Sequence, residues 1–214
     1  MIITRAKDFQ EVLQSLEGAQ KVFVIGCGEC ATLCETGDEP RVAEMKSRLE
    51  EVGKTVTGTM IPEVGCHLLD VKRLARANKE AVEAADVLLV MSCGAGTQVA
   101  QEAIGKFALP ANDTIFHGET QRYGHFAERC AQCGQCRLAE TGGICTVVRC
   151  AKGLTNGPCG GVVDGKCEVD REQDCGWFLI YEQLRDAGRL DLLRKIGQPR
   201  DYANRVTAHV IQRG

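Results

Sequence analysis

Cysteine is the residue type best able to do chemistry in this chain, and eight of its thirteen cysteines lie between Cys130 and Cys175. The group opens with Cys130-Ala-Gln-Cys133-Gly-Gln-Cys136, a C-x2-C-x2-C spacing. Such a density of thiols indicates either bound metal or disulfides. The first residues, MIITRAKDFQEV, have neither a basic region followed by an apolar stretch nor a cleavage site, so we expect a reducing, cytoplasmic environment. An odd number of cysteines also cannot form a closed set of disulfides, and the pattern therefore favours metal.

The C-x2-C-x2-C run is typical of a ferredoxin-type site, in which three closely spaced thiolates ligate one 4Fe4S cluster. The usual C-x3-C-P ending is missing, because Arg137 and Leu138 follow the third cysteine. The fourth ligand therefore stays open among five later cysteines. These candidates are Cys145, Cys150, Cys159, Cys167 and Cys175. Eight cysteines would also suffice for two tetrathiolate sites, and zinc is the main alternative to iron, although the spacing favours an iron-sulfur cluster.

A second set of cysteines follows predicted strands in the first half of the chain. Cys27, Cys30 and Cys34 come after the first buried strand, Cys66 after the second and Cys93 after the third. Because the carboxyl ends of parallel strands form one crevice, these positions should converge in space. They provide one four-thiolate site with one cysteine to spare. The alternative for Cys66 and Cys93 is that each is a small buried apolar residue.

The loop from Gly26 to Ala31 also fits G-x-G-x-x-A, a dinucleotide-binding fingerprint. Two of its variable positions are thiols, and Pro40 suggests that the next helix starts well downstream, whereas a pyrophosphate needs a helix N-terminus directly after the loop. Nucleotide binding is therefore the weaker interpretation. His67 suits a capping or surface role better than a metal-ligand role, while the other histidines show no ligand spacing. We find no self-contained catalytic apparatus.

The elements that must position these cysteines alternate between strand and helix. Buried strands are predicted at residues 21–26, 54–61 and 86–91, with a fourth at 113–117. Helices are predicted at residues 7–17, from Asp38 to Gly53, across 67–85 and at 97–104. This order predicts an α/β fold, a Rossmann-like, doubly wound parallel sheet.

The periodicity disappears from residue 130 to 176, where glycine and cysteine dominate. A segment with so few apolar side chains needs another source of folding free energy, and bound metal can supply it. A closing helix with Trp177, Ile180, Tyr181 and Leu184 on one face follows, and a mildly basic tail comes after Pro199. We therefore predict a Rossmann-like domain at residues 1–125 and a cysteine-rich, loop-dominated iron-sulfur module at 126–214.

Composition excludes two classes of function. The net charge of -3 provides no basic field for nucleic acid. No apolar run approaches the ~18 residues of a membrane-spanning helix. We therefore expect a cytoplasmic protein that neither binds nucleic acid nor spans a membrane.

Several motifs resemble a known family. They are the segment from Cys150 to Gly161 with N-G-P-C-G-G, then G-K-C-E-V at 165–169, D-C-G-W at 174–177 and I-Y-E-Q-L at 180–184. With the G-C-G-x-C loop and the Cys130 run, they resemble the small cysteine-rich subunit of methylenetetrahydrofolate reductase from acetogenic bacteria. That family also occurs as a C-terminal extension of the reductase.

The resemblance implies a TIM-barrel partner that holds FMN and reduces methylenetetrahydrofolate to methyltetrahydrofolate in one-carbon metabolism, within the Wood-Ljungdahl pathway. It implies that this chain passes electrons to the flavin through two 4Fe4S clusters, docks to further electron-input subunits and does not contact folate. Zinc in one of the sites remains open. The resemblance also implies cluster-ligand roles for Cys27, Cys30, Cys34, Cys93, Cys130, Cys133, Cys136 and some later cysteines. The main alternative is a zinc-stabilised adaptor without a redox role.

Overall fold

The computed structural model describes residues 1–201 and 203. The chain consists of two structural units. The first unit is Met1–Phe126, and the second begins at Ala127. The predicted basic tail beyond residue 203, including His209, lies outside the described residues. The two units are described separately below.

Strands and helices alternate along the first unit. In chain order they are β1 (Ile2–Ala6), α1 (Phe9–Ser15), β2 (Lys21–Ile25), α2 (Cys30–Leu33), α3 (Glu39–Glu51), β3 (Thr55–Met60), α4 (Leu68–Ala77), α5 (Lys79–Ala84), β4 (Val87–Val90), α6 (Gly94–Ile104), β5 (Ala108–Pro110) and β6 (Asn112–Arg122). A further strand, β7 (His125–Cys130), begins in the first unit and ends in the second. Four of the strands form a parallel sheet in the order β3-β2-β4-β5. The predicted α/β class with a parallel sheet is therefore confirmed.

The alternation of side chains along β2 produces two apolar layers, one on each face of the parallel sheet. Val22 and Val24 belong to a buried cluster with side chains of α1 and α3. Phe23 and Ile25 belong to a second cluster with side chains of α4, α5 and α6. Helices therefore cover both faces, and the sheet is doubly wound as predicted.

The single helix predicted across residues 67–85 is instead two helices, and Asn78 separates them. The Asn78 backbone adopts φ -108° and ψ 25°, outside helical values. Its side-chain Nδ2 donates to the Leu74 carbonyl oxygen at 2.9 Å. An asparagine that bonds to nearby backbone in this way competes with helix continuation. The amphipathic pattern continues through the break, so periodicity alone did not reveal it.

The predicted fourth strand at 113–117 exists, but it lies in β6 and belongs to a separate sheet. That sheet has the order β1-β6-β7, and β1 pairs antiparallel to β6. The fourth parallel strand is β5, which has only three residues. Such a short strand shows no periodicity, which explains why the sequence assigned this position to the wrong segment.

The second unit has little regular structure. Its α-helices are α7 (Thr146–Arg149) and α8 (Gly176–Asp186), and single-turn 3₁₀ helices occur at Leu138–Glu140 and Leu190–Arg194. Trp177, Ile180 and Leu184 of α8 are buried together and form the apolar core of this unit. Tyr181, predicted on the same face, is 43% exposed, so the buried stripe is narrower than expected. Among the helices that the structure describes, none is long and apolar enough to span a membrane.

Candidate metal centres

The first group of cysteines lies beyond the carboxyl ends of three neighbouring parallel strands. Cys27 follows β2, Cys66 lies in the loop after β3, and Cys93 follows β4 as the residue that precedes α6. Cys30 is the first residue of α2, which comes directly after the same loop as Cys27. The topology therefore brings these residues to one edge of the sheet, the usual ligand-binding edge of this fold.

Glycines allow the three loops to approach closely at this edge. A Cβ on Gly65 would lie 3.2 Å from the Cys27 Sγ, and a Cβ on Gly28 would lie 3.0 Å from the Glu63 carbonyl oxygen. The Gly65 amide also donates to the Cys27 Sγ at 3.4 Å. The loops after β2 and β3 therefore pack closely against each other, because glycine has no side chain at these contacts.

The thiol of Cys66 is influenced by three other cysteines of this edge. Burial raises the pKa of the Cys66 thiol, and the neighbouring thiols of Cys93, Cys27 and Cys30 raise it further. When thiols share one small site, ionisation of one makes ionisation of the next less favourable, because a second negative charge is unfavourable there. A bound cation would remove this penalty by neutralising the thiolates. We name Cys27, Cys30, Cys66 and Cys93 the first quartet.

Cys34 has a different environment from the other four cysteines of this unit. Its thiol donates to the Ile2 carbonyl oxygen of β1 at 3.9 Å, whereas the Ile2 amide donates to the Cys30 Sγ at 3.5 Å. We therefore regard Cys34 as the spare cysteine that the predicted site leaves over.

The nucleotide alternative can be compared with the loop from Gly26 to Ala31. A helix does start directly after it, contrary to the expected downstream start, but α2 has only four residues. The longer helix α3 begins only at Glu39, with Asp38 before it and Pro40 in its first turn, as predicted. A one-turn helix provides little of the dipole that a dinucleotide fingerprint uses, so the geometry does not strengthen this alternative.

The second group of cysteines surrounds a cavity of about 220 Å³ in the second unit. Cys130, Cys133 and Cys136 line it, as the C-x2-C-x2-C spacing requires of a shared site. Cys145, at the start of α7, is the other cysteine in the lining. The structure thereby distinguishes Cys145 from the four other candidates for the fourth ligand, a choice that sequence spacing left open.

Two arginines stand beside this cavity. Arg200 donates from Nη1 to the Cys133 Sγ at 2.7 Å, and both Arg200 and Arg137 are among the lining residues. The Arg200 Nε and the Arg137 Nη1 are buried without a hydrogen-bond partner among the described residues. Burial raises the pKa of Cys133, but the Gln135 backbone and the Arg200 guanidinium lower it, and the net pKa is below the usual value.

The last four cysteines belong to adjoining loops of the second unit. They are Cys150, Cys159, Cys167 and Cys175. Cys150 and Cys175 both pack against the core around Trp177. The Cys159 thiol donates to the Glu168 carboxylate at 3.3 Å, next to Cys167 in sequence. These contacts do not join all four cysteines around one point among the described residues.

The surroundings of Cys167 favour the thiolate form of its side chain. Backbone hydrogen bonds from Asp170 and Val169 lower the pKa of its thiol. Amides that point at a sulfur are common around metal-bound cysteine, because they stabilise its negative charge. Lys152, which pairs with Glu168 at 2.6 Å, lowers the Cys167 pKa further.

The donor sets fit metal, although no three His, Cys, Asp or Glu side chains within residues 1–201 and 203 are already arranged to hold an ion. All thirteen cysteines are free thiols. The first quartet is all sulfur, and so is the second quartet, which we define as Cys130, Cys133, Cys136 and Cys145. Sulfur is the ligand type of iron-sulfur clusters and of structural zinc. The unpartnered arginine nitrogens at the second quartet suit a net negative group, which a cluster with four thiolates is.

The three histidines that the structure describes do not join either quartet. His67 precedes α4, and its Nδ1 accepts from the Asp70 amide at 3.3 Å, so the predicted capping role is confirmed. His117 lies on β6 and His125 on β7, in the antiparallel sheet. The sequence missed Arg137 and Arg200, because a single arginine far along the chain shows no spacing signal.

Comparison with known proteins gives one informative match. Residues 109–203 match a family model described as methylene-tetrahydrofolate reductase C terminal, which supports a relation to methylenetetrahydrofolate reductase proteins. No curated protein matches the chain. A solved structure of unliganded arylmalonate decarboxylase matches with 17% identity and a TM-score of 0.34, over 48% of this chain and 46% of that one. The chain thus spans less than half of that protein, and a likeness at this level supports no functional inference.

Proposed function

We propose that the chain is an electron-transfer subunit that holds two 4Fe4S clusters and delivers electrons to the flavin of a partner reductase. One observation carries the proposal: Cys145 joins the C-x2-C-x2-C cysteines around a single cavity beside two arginines. The family match over residues 109–203 supports the reaction class, so the proposed partner is an FMN-containing TIM-barrel subunit that reduces methylenetetrahydrofolate. Further electron-input subunits are part of the same proposal.

The chain's own residues would hold the clusters and set their surroundings. Cys27, Cys30, Cys66 and Cys93 would ligate one cluster, while the backbone amides of Ile2 and Gly65 already donate to two of these sulfurs. Such amide-to-sulfur bonds raise reduction potentials by stabilising added negative charge. The bound clusters would supply one-electron carriers at the two sites.

The second site would be held by Cys130, Cys133, Cys136 and Cys145. Its cavity is formed by a run of loop backbone, and the short helix α7 begins directly after the last of these cysteines. Thiols must lose their proton to ligate metal, and the guanidinium beside Cys133 favours the resulting thiolate. Folate chemistry would belong to the partner, since we propose no catalytic residue in this chain.

Electron delivery can be tested directly with anaerobically purified protein. The chain is reduced with dithionite, freed of excess reductant and mixed with the FMN-loaded barrel subunit in a stopped-flow spectrometer. We expect the flavin absorbance to bleach as the cluster absorbance returns. Cys133→Ser should abolish or strongly slow the bleaching, whereas Cys34→Ser should leave it unchanged. Bleaching by Cys133→Ser at the rate of the unmodified chain would contradict the proposal.

A zinc-stabilised adaptor is the second candidate, and the four remaining cysteines favour it. Cys150 and Cys175 pack against the small core of the second unit, where a bound zinc ion would stabilise loops without redox chemistry. Zinc at these positions is compatible with clusters at the two quartets. Zinc and iron analysis of the same sample decides between them: zinc without iron supports the adaptor alone.

A further inference from the structure

Residues 197–200, named here the C-terminal strap, are attached to the loop that carries the N-G-P-C-G-G motif. The Asn156 side chain bonds the Gly197 backbone in both directions, from Nδ2 to the carbonyl oxygen at 3.1 Å and from the Gly197 amide to Oδ1 at 3.0 Å. A side-chain amide that bonds both backbone groups of one residue fixes that residue's position and orientation. The motif asparagine therefore anchors the strap.

Arg137 provides the second attachment of the C-terminal strap. Its Nη2 donates to the Gln198 carbonyl oxygen at 2.5 Å. A Cβ on Gly197 would lie 2.7 Å from the Arg137 Nη1, so the absence of a side chain at 197 allows this approach. The guanidinium of Arg137 thus lies between the strap and the cysteine cavity, which it also lines.

The strap places Arg200 against the second quartet. The Nη1–Sγ distance from Arg200 to Cys133 is 2.7 Å, although the two residues are far apart in sequence. No acidic side chain of the described residues pairs with Arg200, and its Nε is buried without a partner. The positive charge is therefore directed at the sulfur and is not neutralised elsewhere in the described chain.

The electrostatic consequence follows from charge alone. A four-thiolate cluster is already negative when oxidised and gains one more negative charge on reduction. A nearby cation stabilises the reduced form more than the oxidised form, and this raises the reduction potential. The effect is strongest where the cation is buried and hydrogen-bonded to a ligating sulfur.

We propose that Arg200 is a positioning residue that raises the reduction potential of the cluster held by Cys130, Cys133, Cys136 and Cys145, with Asn156 holding the strap that delivers it. The inference rests on the proposed function, because it needs a cluster at that site. It assigns a role to the asparagine of the N-G-P-C-G-G motif, which metal ligation leaves unexplained. It also predicts that the two clusters differ in reduction potential, because Arg200 acts only on the cluster of the second unit.

The test is a potentiometric titration of the full, anaerobically purified chain, followed by electron paramagnetic resonance. Arg200→Gln should lower the ratio of reduced to oxidised cluster about tenfold at the unmodified chain's midpoint. This corresponds to a midpoint lowered by ~59 mV for one electron. Arg200→Lys should show a smaller shift, because it keeps the charge but loses the planar donor pair. The first-quartet midpoint should not move. The exposed Arg194→Gln serves as the matched control with the same loss of charge.

An unchanged second-site midpoint in Arg200→Gln, at full iron content, would overturn the proposal. If that variant loses its iron, Asn156→Ala decides the matter, because it removes both hydrogen bonds to Gly197 and leaves the cavity lining unchanged. A lowered midpoint in Asn156→Ala supports the role, and an unchanged one overturns it. Failure of the proposed function looks different: the unmodified chain would itself lack iron at the second site.

Discussion

Cys145 is the residue on which the second site depends, because it lines the cavity together with the three cysteines of the C-x2-C-x2-C run. The other later cysteines have different surroundings. Cys150 and Cys175 pack on the α8 core, and Cys159 contacts Glu168. Spacing predicted that the first three cysteines lie around one site, since the loops between them are short. It left the fourth open, because that residue is brought in by the path of a loop with no periodic pattern.

Replacement of Cys145 should therefore remove one cluster. Cys145→Ser is expected to retain about four of the eight irons that two cubanes contain. Cys34→Ser is the matched control, since the Cys34 thiol contacts β1 backbone and should leave the iron content unchanged. Iron and sulfide are measured per chain after anaerobic purification. Full iron in Cys145→Ser, or a loss in Cys34→Ser, would refute this ligand assignment.

The loops after the parallel strands are the elements that position the first quartet, and their glycines are required by close approach. A Cβ on Gly26 would lie 2.4 Å from the Gly37 carbonyl oxygen, and one on Gly37 would lie 2.0 Å from the Met91 carbonyl oxygen. These contacts join the loop after β2 to the end of β4. The side chains of Cys27 and Cys93 are therefore positioned by backbone packing at this edge.

Gly26→Ala should disturb this edge. We expect a loss of about 1–3 kcal/mol in the free energy of unfolding, because the added methyl group overpacks the loop. Iron at the first quartet should fall with it. Gly94→Ala is the matched control, since its Cβ would lie 3.5 Å from the nearest atom, the Thr114 hydroxyl oxygen. Chemical denaturation and iron content report both effects, and equal stability of the two variants would argue against the packing role.

Helix α8 is the element that provides the apolar core of the second unit. Ile180 is fully buried, whereas the adjacent Tyr181 is 43% exposed. Ile180→Ala should cost about 2–5 kcal/mol through lost burial and a cavity. Tyr181→Ala should change stability by only about 0.5 kcal/mol, as is usual for surface positions. Denaturant unfolding measures both, and a larger loss in Tyr181→Ala would show that the buried stripe is wrongly assigned.

At the scale of the whole molecule, the two units differ in what stabilises them. The first has two large apolar clusters on the faces of its parallel sheet. The second has a core of three buried side chains, Trp177, Ile180 and Leu184, and long stretches without regular structure. Ligation supplies folding free energy where apolar burial is small. The second unit should therefore depend on metal much more than the first.

Removal of metal should unfold the second unit selectively. After oxidative cluster breakdown and chelation, amide hydrogen exchange should accelerate across residues 127–201, while β2 and β4 keep their protection. The control is the same treatment followed by anaerobic reconstitution with iron and sulfide, which should restore slow exchange. Equal loss of protection in both units, or no loss in either, would contradict this division of stability.

The sequence predicted the first unit well because its signals are local and periodic. Buried runs such as β2 and the amphipathic α3 determine their own conformation, and the parallel topology then places Cys27, Cys66 and Cys93 at one edge. The antiparallel pairing of β1 with β6 and the break at Asn78 depend on tertiary contacts or a single side chain. Arg200 was not predictable either, since only the folded strap brings it to Cys133.

The most direct test of the central claim is metal and sulfide analysis of the anaerobically purified chain, combined with its spectrum before and after dithionite. The account predicts a brown protein with about eight irons and eight sulfides per chain that bleaches on reduction. A double variant, Cys27→Ser with Cys133→Ser, should lose most of both. A colourless chain that contains zinc without iron would contradict the claim that its two cysteine quartets hold electron-transferring clusters.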